Sequence, residues 1–223
     1  MAVDLTAYQS LQSALSTKQV TLIAVSKTKP VEDIQALYDA GHRDFGENYV
    51  QELVQKQAEL PKDIRWHFIG HLQSNKVKMI APFVHLIHGV DSIKLLEVID
   101  KEGKKLNKKI NCLLQVHIAQ EETKYGLDLQ EARQAAASYF LEKKYEHIEL
   151  CGLMGMASFS DNLSLVEQEF KSLKELFDEI HEVHKNAAQF NILSMGMSGD
   201  YMLAINNGST MIRIGSMLFG KRG

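Results

Sequence analysis

The chain has 223 residues, 45% of them hydrophobic and 24% charged, which excludes an intrinsically disordered protein and supplies enough apolar side chains for one sizeable core. Its 25 basic and 28 acidic residues leave a formal charge of -3, so there is no one-sign field to hold a polyanion, and nucleic acid is not an expected partner. The two cysteines, Cys112 and Cys151, sit inside apolar runs as small hydrophobes, which excludes a disulfide scaffold.

The sequence opens without a basic leader, since Asp4 comes early and the first lysine is Lys18. No apolar stretch approaches the ~20 residues needed to cross a bilayer, so a cytoplasmic protein with no membrane partner is expected. Leu5, Tyr8, Leu11 and Leu15 recur at helical spacing and predict a helix ahead of the first strand, Leu22 to Val25. Pro30 opens a second helix carrying Ile34, Leu37 and Tyr38. Strands follow over residues 44–46, 66–70, 84–87 and 112–118, the last leading to a helix that Asp128 and Glu131 start with capping-box spacing.

Residues 148–153 read as a sixth strand, and Ser164 with Glu167 again has capping-box spacing. The helix expected there has Val166, Phe170, Leu173, Phe177 and Ile180 on one stripe, with Glu167, Lys171, Lys174 and Glu175 off it. Strands over 192–195 and 211–214 complete a set of eight. Eight strands alternating with helices fit a closed (β/α)₈ barrel or an open doubly wound sheet. The count favours the barrel, in a compact version of the usual ~250 residues, and no G-x-G-x-x-G follows the first strand. One domain over residues 1–223 is expected, because no linker or shift of composition marks a boundary.

In such a barrel the chemistry belongs at the carboxyl ends of the strands. Lys27 ends the apolar first strand, where desolvation would make its amine nucleophilic and able to form a Schiff base with a carbonyl. Lys29 reads as a loop charge. Met195-Gly196-Met197-Ser198-Gly199-Asp200 and Ile212-Arg213-Ile214-Gly215-Ser216 are strand-to-helix turns with glycine for close backbone approach, a hydroxyl, and N–H groups that attract an anion. Two such turns after strands 7 and 8, opposite a lysine on strand 1, predict a phosphate site. Together they fit a phosphorylated sugar aldehyde or pyridoxal 5'-phosphate (PLP).

Five segments go further. Val25-Ser26-Lys27-Thr28-Lys29-Pro30, Phe45-Gly46-Glu47-Asn48-Tyr49-Val50-Gln51-Glu52, residues 66–76, Leu193-Ser194-Met195-Gly196-Met197-Ser198 and residues 208–215 closely resemble the pyridoxal phosphate homeostasis protein family. The resemblance runs from about residue 20 to the C-terminus. It implies a barrel like the N-terminal domain of alanine racemase, holding PLP on Lys27 as an internal aldimine. It places Ser198, Gly199, Gly215 and Ser216 at the phosphate, Arg213 at the pyridine nitrogen and Asn48 near the ring. Arginine at that nitrogen disfavours the pyridinium form and makes the ring a weak electron sink.

Three positions depart from what relatives carry. His71 stands where many have proline, Gly199 where many have aspartate, and Val31 where racemases place a tyrosine. Asp200 still offers a carboxylate for a helix start. Racemases also use a second, β-rich domain, and none is expected here. His67 with His71 and His85 with His88 raise a metal site, but the strand geometry and the lack of a completing ligand make packing the expected role. The lysines between 101 and 109 read as solvated helix ends, and Met154 and Met156 as core or cofactor-facing. The expectation is therefore a monomeric PLP carrier or buffer of vitamin B6 homeostasis, with apo-PLP enzymes as acceptors. The alternative is a racemase-like PLP enzyme.

Overall fold

Strands buried on both faces call for apolar runs, and this chain supplies eight short strands that are mostly apolar, with Asp44–Glu47 and Arg65–Phe68 the polar exceptions. In the computed structural model, which describes residues 3–121, 124–184 and 188–220, they are β1 (Thr21–Val25), β2 (Asp44–Glu47), β3 (Arg65–Phe68), β4 (Leu86–Val90), β5 (Ile110–Val116), β6 (Ile148–Gly155), β7 (Ile192–Ser194) and β8 (Met211–Ile214). They close in sequence order into a parallel (β/α)₈ barrel. Closure brings β8 against β1, with Ile23 opposite Arg213. The strand bearing Lys27 thus adjoins the strand of the last glycine turn instead of lying across the barrel from it.

Helix α1 (Leu5–Ser16) precedes the first strand. Its N-cap Asp4 accepts from the Ala7 N–H at 2.9 Å, and Tyr8, Leu11 and Leu15 are buried. The others are α2 (Val31–Asp39), α3 (Val50–Glu59), α4 (Val77–Ile80), α5 (Ile93–Leu106), α6 (Leu129–Phe140), α7 (Leu163–Val183), α8 (Tyr201–Asn206) and α9 (Ser216–Phe219). Among the described residues no helix is long and apolar enough to cross a membrane. The capping box of Asp128 and Glu131 is present at α6. At α7 the cap is Asn162, whose side chain accepts from the Leu165 N–H, so Ser164 lies inside the first turn and not at its edge. All five apolar stripe residues of α7 are buried, as the spacing predicts.

The fourth strand starts later than the apolar run suggests, because the Val84 N–H is spent on Ile80 O in finishing α4. Between β5 and β6 the register slips by one residue, so that Cys112 faces Leu150 and Leu113 faces Gly152. Gly152 sits at φ +150°, and a Cβ there would lie 1.8 Å from the Ile192 carbonyl oxygen, so the bulge requires glycine. The main apolar core fills the layer between strands and helices. A smaller one, with Ile23, Leu86, Leu113, Cys151, Met154 and Met211, packs within the barrel. Both cysteines are free and buried, and burial pushes both thiols up.

Candidate functional site

At the upper end of the barrel, where the strands finish, a cavity of about 500 Å³ opens. Every site residue expected from the sequence lines it: Lys27 after β1, Asn48 after β2, Ser198 and Gly199 after β7, Arg213 in β8, and Gly215 and Ser216 beyond it. Met156 lines it as well, whereas Met154 is fully buried in the inner core. Lys29 is more than a loop charge: it borders the cavity, and its Nζ donates to Phe219 O at 2.8 Å, tying the β1 turn to α9.

The β7 turn depends on Gly196, at φ +98°, where a Cβ would stand 2.6 Å from the Ala204 Cβ. Asp200 does not cap α8 with its side chain. Its carboxylate accepts from the Met197 N–H at 2.6 Å and so closes the loop that presents Ser198 and Gly199. At Gly199 a Cβ would meet no atom within 4 Å, so there is room for a side chain at this position.

Arg213 is 4% exposed. Its Nη1 donates to Ser194 O at 2.8 Å and to Ser194 Oγ at 2.7 Å, and its Nη2 donates to Gly155 O at 3.0 Å. Burial draws the guanidinium down to about 10, against the pull of the Asp200 carboxylate, so the group is still a cation at neutral pH. Carbonyls and a hydroxyl hold it, not a rim ion pair.

Below Arg213 a string of hydrogen bonds descends the barrel axis. Ser194 Oγ lies 3.1 Å from His88 Nδ1, His88 Nε2 lies 3.0 Å from His67 Nδ1, and His67 Nε2 lies 3.1 Å from Asp44 Oδ1. Desolvation lowers both imidazoles, so each carries one proton. The carboxylate can only accept, so His67 donates from Nε2 and accepts at Nδ1. His88 then donates from Nε2 and accepts the Ser194 hydroxyl at Nδ1, leaving Ser194 Oγ to accept from Arg213. His71 takes no part: its Nδ1 lies 2.7 Å from Asp91 Oδ2, and its ring stacks on Tyr125 at 4.1 Å. Among the described residues no group of three His, Cys, Asp or Glu is placed to hold a metal.

Sequence reasoning misses a buried ionic cluster behind the lysine turn. Lys56 Nζ donates to Ser26 O and Glu47 Oε1, both at 2.8 Å, and to Glu52 Oε1 at 2.6 Å. The available signal was a lysine three residues after Leu53 and four before Leu60, on the face of α3 that periodicity turns inward.

Comparison with known proteins follows the same lines. Residues 6–223 match the family model described as alanine racemase, N-terminal domain. The chain is 40% identical over 208 residues to the pyridoxal phosphate homeostasis protein of Pasteurella multocida, covering 91% of this chain and 87% of that one. It is 38% identical over 223 residues to the protein of that name from Schizosaccharomyces pombe, covering 99% and 91%. Among solved structures, PipY of Synechococcus elongatus with PLP bound superposes with a TM-score of 0.84 at 35% identity, over 96% of this chain and 99% of that one. Alanine racemase of Clostridium difficile superposes with a TM-score of 0.76 at 14% identity, over 99% of this chain and 58% of that one, a likeness of fold alone.

Proposed function

This chain belongs to the pyridoxal phosphate homeostasis protein family, and on that premise we propose that its single barrel binds PLP on Lys27 and serves as a carrier or buffer of the cofactor. The observation that carries the reading is the convergence of a lysine, a buried arginine and two glycine–serine turns on one cavity. The cavity also fits the group on independent grounds. Asn48 lines it, and its Oδ1 is buried without a hydrogen-bond partner, an acceptor of the kind a bound ligand completes. Gly199 and Gly215 leave their backbones approachable, with no atom closer than 3.4 Å to the Cβ position of Gly215.

When bound, PLP supplies an aldehyde that condenses with an amine, the carbonyl oxygen leaving as water. Lys27 is the amine in this reading. Ser198 and Ser216 offer hydroxyls and the neighbouring glycines offer N–H groups to the phosphate. Arg213, a cation held by neutral oxygens, would lie toward the ring nitrogen in this reading and would oppose protonation there. A ring kept unprotonated is a poor electron sink, which favours holding the cofactor over carbanion chemistry on it. Apo-PLP enzymes are the proposed acceptors.

The test combines a spectrum with an exchange measurement. Protein incubated with PLP should turn yellow, lose the band to borohydride and carry the label on a peptide containing Lys27. Alanine in deuterated buffer should show α-proton exchange close to that of free PLP, while an apo-enzyme acceptor regains activity. Exchange at ordinary enzymatic rates, abolished in Lys27→Ala, would restore the racemase-like alternative.

A further inference from the structure

The cluster behind the lysine turn grips the peptide groups on both sides of Lys27. On one side, Ser26 O accepts from Lys56 Nζ at 2.8 Å, and Ser26 Oγ donates to Glu47 Oε1 at 2.6 Å. On the other, the Thr28 N–H donates to Glu52 Oε1 at 2.6 Å. Lys56 joins the two sides, because its ammonium has three donors and all three are used, on Ser26 O, Glu47 and Glu52. Glu47 is fully buried and Lys56 is 4% exposed.

Thr28 sits at φ +62°, in the left-handed region that a β-branched residue rarely adopts. Such a conformation persists only where surrounding contacts over-determine it. Here the Glu52 carboxylate and the Lys56 ammonium do so, from the next βα unit of the barrel. The fold alone gives little reason for the cluster. An apolar side chain at position 56 would continue the buried face of Leu53 and Leu60, whereas a buried ion pair costs in desolvation about as much as it returns. Neither Glu47, Glu52 nor Lys56 lines the cavity; Glu52 and Lys56 instead border an outer recess beside Thr28 and Pro30.

We propose that Glu52 and Lys56, with Glu47 beneath them, are positioning residues that fix the direction in which Lys27 leaves the backbone and so present its amine to the cofactor's carbonyl carbon. The inference rests on the reading of Lys27 as the cofactor-bearing lysine. It assigns to Glu47, Glu52 and Lys56 a role that acts only through the lysine turn.

The experiment separates placing the amine from binding the ligand. Pyridoxine 5'-phosphate has an alcohol in place of the aldehyde, so its affinity reads the cavity without the covalent bond. PLP with borohydride trapping reads the Schiff-base equilibrium. Glu52→Ala should bind pyridoxine 5'-phosphate within about twofold of wild type, with the Schiff-base equilibrium about tenfold weaker. Glu52→Gln keeps an oxygen for the Thr28 N–H and should recover most of that loss. The neutral pair Glu47→Gln with Lys56→Met should follow Glu52→Ala. If that pair fails to fold, the two Glu52 variants decide the matter alone. Schiff-base formation equal to wild type in Glu52→Ala, or both ligands weakened together in step with a lower melting temperature, would overturn the inference. Absence of trapped label on Lys27 in the wild-type protein would overturn the reading beneath it, and the two failures are thereby distinct.

Discussion

The two ends of this barrel each carry a cavity with polar groups in its wall, and they differ in what those groups have left to do. At the lower end, where the strands begin, Asp44, Arg65, His67 and His85 border a cavity of about 420 Å³, not much smaller than the 500 Å³ of the upper one. There Asp44 accepts from Arg65 Nε at 2.6 Å and from His67, and its carboxyl is held far below the usual carboxylate range by these partners despite its burial. The groups complete one another. At the upper end, Asn48 keeps a buried oxygen without a partner and glycine turns leave backbone open to approach. Volume does not separate the two cavities; the state of their hydrogen bonds does.

The sharpest way to break this contrast is Lys27→Ala. It should abolish trapping of PLP entirely while leaving circular dichroism and melting temperature near wild type, since the strand is anchored by Ile23 and Ala24, both fully buried. A collapse of folding would make the upper end structural too.

Acid should act on the lower end. His42, His67 and His88 are buried and titrate below the ordinary imidazole value because burial disfavours their charged forms. Their folded values lie under the unfolded ones, so the stability they contribute is complete above about pH 6.5 and falls as the pH drops below it. A group held fully neutral contributes a slope of at most about 1.4 kcal/mol per pH unit, and urea unfolding should show a lower stability at pH 5 than at pH 7.5. His88→Gln should flatten that slope. A pH-independent stability would show that the imidazoles are not held neutral.

The smallest effect concerns the phosphate turns. Ser198→Ala or Ser216→Ala should each weaken PLP by about 1.5 kcal/mol, roughly tenfold, with melting of the unliganded protein unchanged, because these hydroxyls serve the ligand in this reading. Equilibrium dialysis checks it. Wild-type affinity in the double mutant would place the phosphate elsewhere.

Strand order, barrel closure and the gathering of Lys27 and the two glycine turns at the upper end were legible in the sequence because each rests on local pattern: apolar runs, helical stripes, glycine turns at strand ends. Asn48 and the role of Arg213 entered only through the family resemblance. The string from Asp44 to Arg213 was not legible. Periodicity marks His67 and His88 as inward-facing but is silent on partners, and the contact of His88 with Ser194 spans 106 residues. Lys56 was hidden for the same reason, since its three acceptors lie on a preceding turn, a strand end and its own helix. Boundaries erred where a neighbouring bond decided them, as at Asn162 in place of Ser164.

Ring closure has a consequence in time as well as in space. Lys29 and Phe219 meet across 190 residues of chain, and Lys27 shares a wall with β8 only because the eighth strand returns to the first. During synthesis the lysine therefore emerges long before the arginine and the second glycine turn that complete its cavity. A ribosome-bound fragment lacking β8 has Lys27 without the completed cavity. In the reading proposed above, loading of cofactor on Lys27 would wait for barrel closure, and a ligand held between first strand and last would act as a clasp on the closed ring.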